Sequence, residues 1–257
     1  MAALGSASRK PATSAKPEPP TPIRERYETA VDALLALHGK RLPDVLPVAP
    51  HIEHRIPSYD MSALLIEAEL LLDWFLPRLQ APMPDSERDS FRRLWRELLQ
   101  PAIDAPATWV LRDFHSPNLL WLARRQEIAR LGLLDFQDAV MGPAAYDVAS
   151  LLQDARVDIP EQLELALLGR YVRGRRQSDP EFDPASFIKI YVTLAAQRAS
   201  KILGIFARLD KRDQKPQYLA HLPRVEAYLR KSLRHPALAD IKAWYETNLP
   251  HLFRDAG

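Results

Sequence analysis

The sequence predicts a mainly α (α+β) domain with one small β element in its middle. Three observations carry that prediction. From Ile23 onward, apolar residues recur at helical spacings of three and four. Prolines fall near the ends of the resulting segments, where a helix tolerates them. Only between residues 107 and 136 does the pattern change, to three short β-prone stretches bounded by polar breaks.

The elements follow in order. Residues 1–22 are rich in Ala, Ser, Pro and Lys with almost no large apolar side chain, so they read as a disordered tail ahead of a folded unit over 23–257. Tyr27, Val31, Leu34, Leu35 and Leu37 set the first helix. The stretch KRLPDVLPVAPHIEHRIPSYD (40–60) holds four prolines and predicts an extended, irregular connection. Its HIEH (51–54) has no third ligand beside it and reads as solvated loop rather than metal site. Asp60 is placed to N-cap a helix running to about Leu76, stopped by Pro77. A further helix covers 86–99. ATWVLRD (107–113), LLWLA (119–123) and ARLGLLDF (129–136) read as strands, the last two joined into a hairpin through RRQE (124–127). Beyond Tyr146 the periodicity gives helices near 146–156, 160–173, 184–208, 215–232 and 236–247. RYVRGRR (170–176) reads as a helix end running into a solvated loop.

Composition excludes several classes. A net charge of +2 over 257 residues gives no basis for nucleic-acid binding. With no cysteine there is neither a disulfide framework nor a thiolate metal site. The most apolar window, ALLIEAELLLDWFL (63–76), is interrupted by Glu67, Glu69 and Asp73, so no membrane span is expected, and the protein is read as cytoplasmic. Of the 8 glycines, only Gly5 and Gly39 precede Gly132, so no Gly-rich phosphate loop can be written.

The chemistry concentrates in WVLRDFHSPNLLWL (109–122), where Arg112, Asp113, His115 and Asn118 lie between two apolar strands. Asp135 follows in LGLLDFQD. Three oxygen-bearing side chains at strand ends suit phosphoryl transfer from a nucleotide. One carboxylate orients the acceptor hydroxyl, while an amide and a second carboxylate hold Mg²⁺ against the phosphates. Asp138, in the same loop, reads as solvated, and His115 as structural.

Taken together, LRDFHSPNLLWL and GLLDFQDAVMGPAAYDVASLL resemble the catalytic signature of the aminoglycoside phosphotransferase and choline kinase family. LLDFQDA, SLLQDAR, QRASKILGIFARL and PQYLAHLPRVEAYL are similar more narrowly to the bacterial cell-wall amino-sugar kinases, which act on the anomeric hydroxyl of N-acetylmuramate and N-acetylglucosamine. The resemblance implies a protein-kinase-like C-terminal lobe whose β-hairpin carries the catalytic loop. It implies that Asp113 is the catalytic carboxylate, that Asn118 and Asp135 hold Mg²⁺ and with it ATP, and that Asp147 braces the loop. Leu111-Arg112-Asp113 stands where the family has His-Gly-Asp or His-Arg-Asp. The family's N-terminal β-lobe has no counterpart in residues 1–22, so the resemblance extends to the C-terminal lobe alone.

Two further pairs are substrate candidates. Glu69 and Asp73 sit i, i+4 on an apolar helix, suited to sugar hydroxyls. Arg198 and Lys201 share a helical face with Gln197 and suit a substrate carboxylate or phosphate, the other reading being an ion pair with a neighbouring helix. Three functional readings compete: an active sugar phosphotransferase completed by a separate N-lobe chain, a catalytically inactive pseudokinase remnant, and an interaction module whose exposed lobe face docks a partner or a second copy.

Overall fold

The computed structural model describes residues 22–80 and 83–253. The predicted tail, apart from Pro22, lies outside them. Nine α-helices and six short strands are formed among the described residues.

Helix α1 (Ile23–His38) buries Tyr27, Ala30, Val31 and Leu34, the stripe its periodicity marked. A ribbon of β1 (Val45–Ala49) and β2 (Ile52–Arg55) follows. Here the structure corrects the expected irregular connection. The strands pair antiparallel from Val45↔Arg55 to Ala49↔Ile52, with the register shifting after Pro47. Four prolines masked a strand pair because a two-stranded ribbon has edges on which prolines are tolerated.

Asp60 caps α2 (Met61–Leu70), its carboxylate accepting from Ala63 N at 2.8 Å. The helix does not stop at Pro77. It widens through a π-helical turn over Leu71–Phe75, in which Leu76 N–H reaches back five residues to Leu71, and ends as α3 (Leu76–Arg78). Helix α4 (Asp85–Ile103) carries on through Pro101 and buries Phe91, Trp95 and Leu99.

The middle of the chain forms two small antiparallel pairs. β3 (Ala107–Val110) pairs with β6 (Val140–Pro143), a strand the sequence reading did not place. β4 (Leu119–Trp121) and β5 (Leu131–Leu133) make the expected hairpin. β6 leads directly into α5 (Ala145–Leu152), all of whose residues are buried.

Helices α6 (Glu161–Ser178), α7 (Pro184–Lys211), α8 (Leu222–Ser232) and α9 (Ala239–Asn248) complete the fold. RYVRGRR is corrected from loop to helix. Arg170 pairs Asp32 through two bonds of 2.7 Å, and Arg175 donates to His38 O, so these cations tie α6 to α1. The 28 residues of α7 form the central rod, against which α2, the π-turn, α5 and α8 pack. Among the described residues no helix is long and apolar enough to cross a membrane.

Gly204 sets how closely that rod approaches α2. A Cβ built there would lie 2.3 Å from both the carbonyl carbon and oxygen of Leu70, where the π-turn begins. The obstruction is backbone and cannot swing aside. Gly204→Ala should therefore cost about 3 kcal/mol, the upper part of the overpacking range, and lower the thermal midpoint by roughly 6–12 °C. A midpoint unchanged in calorimetry would place this contact elsewhere.

Candidate active site

The loop between β3 and β4 is fixed from beneath by α5. Asp147 is fully buried, and its two oxygens accept the N–H groups of Leu111 at 2.7 Å and Arg112 at 2.9 Å. One turn on, Ser150 Oγ donates to Arg112 O at 3.1 Å. Both polar groups of one residue's backbone are thus held by one helix face. Arg112 needs the grip, because its φ of 64° lies in the left-handed region, costly for a residue with a Cβ. On its far side, Asp147 faces His38 Nε2 at 3.9 Å, and His38 Nδ1 meets Tyr171 OH at 2.8 Å.

The turn forced at Arg112 delivers Asp113 to the surface, where its side chain is half exposed. Asn118 Nδ2 donates back to Asp113 O at 3.0 Å and lies 3.5 Å from Asp135 Oδ2. Leu134 N bonds Asn118 O at 2.9 Å, so the residue before Asp135 is tied to Asn118 itself. Asp135 also takes a left-handed φ, 57°, which the short side chain of Asp tolerates, and accepts from Gln137 Nε2 at 2.6 Å. Asp113, Asn118 and Asp135 line one cleft of about 460 Å³. No group of three or more His, Cys, Asp or Glu poised for a metal occurs among the described residues.

His115 is buried beneath this rim, 3.7 Å from Asp113 Oδ1 through Nε2, with no hydrogen-bond partner for Nδ1 among the described residues. Burial, and after it the charge of Arg198, lower its pKa, so the imidazole is neutral at neutral pH. Asp154, also fully buried, caps the end of the loop by accepting from Ser116 N and Arg156 N, both at 2.8 Å.

The candidate substrate residues divide. Glu69 and Asp73 do not line the cleft. They pair with α4, Glu69 with Arg92 through bonds of 2.8 and 3.0 Å and Asp73 with Arg88 at 3.0 Å. Arg198 and Lys201 both line it. Lys201 is engaged by Glu67 Oε1 at 2.7 Å and Tyr146 OH at 3.1 Å. Arg198 is buried, donates to Gln153 O at 3.4 Å, and has no carboxylate within ion-pair distance among the described residues.

Sequence reasoning missed Glu67, treating it as an interruption of an apolar window. It is the anion of a buried cluster beside the loop between β3 and β4. Arg112 Nη2 at 2.8 Å and Lys201 at 2.7 Å donate to Oε1, while Gln197 at 3.4 Å and Tyr59 OH donate to Oε2. Burial raises its pKa, but Lys201, Tyr59 and Arg112 outweigh that and hold it below its ordinary 4.5. The available signal was a single acid on the core-facing side of α2.

The pattern of the phosphotransferase enzyme family matches residues 6–188. Relatives named N-acetylmuramate/N-acetylglucosamine kinase include one from Caulobacter vibrioides, 36% identical over 87% of this chain and 60% of its own length. Others come from Pseudomonas aeruginosa, 34% identical over 84% and 61%, and from Neisseria meningitidis serogroup B, 36% identical over 86% and 65%. The chain spans about three fifths of the length of the curated relatives it matches. Among solved structures, a GDP complex of an aminoglycoside 2′-phosphotransferase-IIIa mutant aligns with a TM-score of 0.48 at 18% identity, over 80% of this chain and 63% of that one.

The Glu67 cluster sets an acid limb for stability. A carboxylate whose pKa is lower folded than unfolded stabilises above its unfolded value, and the contribution is lost as pH falls through the folded one. Unfolding free energy should therefore fall with pH below about 4.5. Glu67→Gln should blunt that limb and, at neutral pH, cost near the lower end of the roughly 3–5 kcal/mol seen when a buried ion pair loses one partner, since Arg112 is partly exposed. Denaturant titrations from pH 3 to 8 check both, and a variant as stable as wild type would mean that Arg112 and Lys201 are held by something else.

Proposed function

The chain belongs to the phosphotransferase enzyme family, and from that premise we propose that it transfers the γ-phosphoryl group of ATP to a hydroxyl of a small sugar. The finer proposal is the anomeric hydroxyl of N-acetylmuramate or N-acetylglucosamine, the sugars in the names of its relatives. The observation that carries it is the convergence of Asp113, Asn118 and Asp135 on one cleft, with the loop between them clamped by Asp147.

Asp113 lines the cleft from a fixed turn, with the neutral His115 alongside and no Lys or Arg ion pair among the described residues. In this reading it orients the sugar hydroxyl and takes its proton as the oxygen bonds to phosphorus and the bond to the leaving ADP oxygen breaks. The donor set fits Mg²⁺. The Nδ2 group of Asn118 is committed to Asp113 O, which leaves its amide oxygen as a candidate ligand, and the Asp135 carboxylate lies 3.5 Å from the same amide. Two protein oxygens completed by phosphate and water are what this ion accepts. Bound there, it would neutralise charge on the phosphates. Asp147 acts through the loop, holding Asp113 in place by backbone alone.

Phosphoryl transfer depends mainly on positioning and charge, and the two carboxylates should separate on mutation. Asp113→Asn should retain Mg²⁺-dependent nucleotide binding and lose about 10²–10⁴-fold in turnover. Asp135→Ala should lose the Mg²⁺-dependent part of nucleotide binding. Calorimetry with ATP, with and without Mg²⁺, and an ADP-release assay on N-acetylmuramate read both. Full turnover in both variants would sink the assignment.

A further inference from the structure

We propose that Arg198 and Arg156 form a carboxylate subsite at the acceptor end of the cleft, and that they make the enzyme prefer a sugar acid over its neutral counterpart. The inference rests on the reading of the cleft as a sugar kinase site.

Arg198 is the unusual group. An arginine only 6% exposed, in the middle of a buried helix, ordinarily has an acid beside it, because taking an unpaired charge out of water is costly. Lys201, one turn further along α7, obeys that rule through Glu67. Among the described residues Arg198 has only the long bond to Gln153 O, and it lines the cleft that Asp113, Asn118 and Asp135 also line.

Arg156 lines the same cleft, exposed, with its guanidinium 6.0 Å from the ring centre of Tyr218. Its own backbone is fixed by Asp154 at 2.8 Å, but that carboxylate is spent on N–H groups, accepting from Ser116 N as well. Both arginines press on His115, whose lowered pKa has Arg198 as its leading charge cause, after burial. This end of the cleft therefore holds two guanidinium forks with no salt-bridge partner among the described residues. Ile202, Ile205 and Phe206 give an apolar wall along the same cleft.

A planar carboxylate is the ligand that such forks match, accepting two N–H bonds at once. N-acetylmuramate is N-acetylglucosamine carrying a lactyl ether, and its carboxylate is the one charged group that separates the two. With the anomeric hydroxyl at Asp113, the acid would lie toward the arginines, away from the metal ligands Asn118 and Asp135. The competing role is contact with the nucleotide phosphates, which would place the arginines in donor binding instead.

The test is calorimetry on the whole chain with three probes: N-acetylmuramate, its methyl ester of nearly the same size without the charge, and N-acetylglucosamine. Wild type should bind the acid at least about tenfold more tightly than either neutral sugar. Arg156→Gln, exposed and safe for folding, should bring that ratio down by about tenfold, and Arg198→Gln should do the same. Arg198→Lys should keep part of the preference, and Arg156→Gln decides alone if the buried variant does not fold. Equal affinity for all three probes in wild type, or equal loss for all three in the variants, overturns the subsite while leaving the kinase reading intact. A loss confined to Mg²⁺-ATP affinity overturns it in favour of phosphate contact. Binding of no sugar at all overturns the acceptor reading itself, and the subsite with it.

Discussion

A buried carboxylate holding two backbone N–H groups is the constraint on which the rest of this structure depends. Asp147 is fully withdrawn from water, so its charge must be met by hydrogen bonds, and Leu111 and Arg112 supply them. Hydrogen bonds to a charged group are worth about 1.5–3 kcal/mol each. The left-handed conformation of Arg112 costs roughly 1–2 kcal/mol, so the bonds outweigh the strain they impose. Because Asp147 and Ser150 lie one turn apart on α5, they grip the N–H and the carbonyl of the same residue. The chain is turned at one point, and Asp113 leaves the core there.

The same residue joins the loop to the core by its side chain. Arg112 reaches Glu67 on α2, which also receives Lys201 and Gln197 from α7 and Tyr59 from the segment before α2. Two cations and one anion share this cluster, so its net charge is positive. Such clusters are poor sources of stability compared with apolar packing. Their effect here is geometric. α2, α7 and the loop between β3 and β4 meet at one carboxylate, and none of the three can shift without leaving a buried charge unpaired.

The parts of the fold that were legible in the sequence were local ones. Asp60 announces its cap by identity and position, and the β4–β5 hairpin announces itself by two short apolar runs around a polar break. Asp113, Asn118 and Asp135 were legible as residue types at strand ends. The illegible parts are long-range pairings, which a single sequence does not encode in any window. β6 becomes a strand only because β3 lies beside it, Val110 pairing with Val140 30 residues further along the chain. Glu69 and Asp73 looked like repelling neighbours with a hydroxyl to bind. They are instead answered by Arg92 and Arg88, which carry the same four-residue spacing on an antiparallel helix. Exposed pairs of this kind contribute little stability, about 0–1 kcal/mol each, and they cancel the like-charge penalty without any ligand.

Helix α7 shows why the side of the cleft proposed to take the acceptor is carried by the core and not by a loop. Arg198, Lys201, Ile202 and Ile205 recur at steps of three, one and three, which places them along one face of the helix, and all four line the cleft. The adjoining faces bury Leu194, Ala196, Ser200 and Leu203, and Gly204 brings the rod into backbone contact with α2. A cation set on a loop would move with the loop, and its field at the acceptor would be an average over those positions. A cation set on a rod packed on three sides is fixed to within the play of its own side chain. The proposed discrimination of one charged group on a small sugar would need that fixity. The cost is a buried guanidinium, tolerable only in a helix whose other faces pack well enough to hold it.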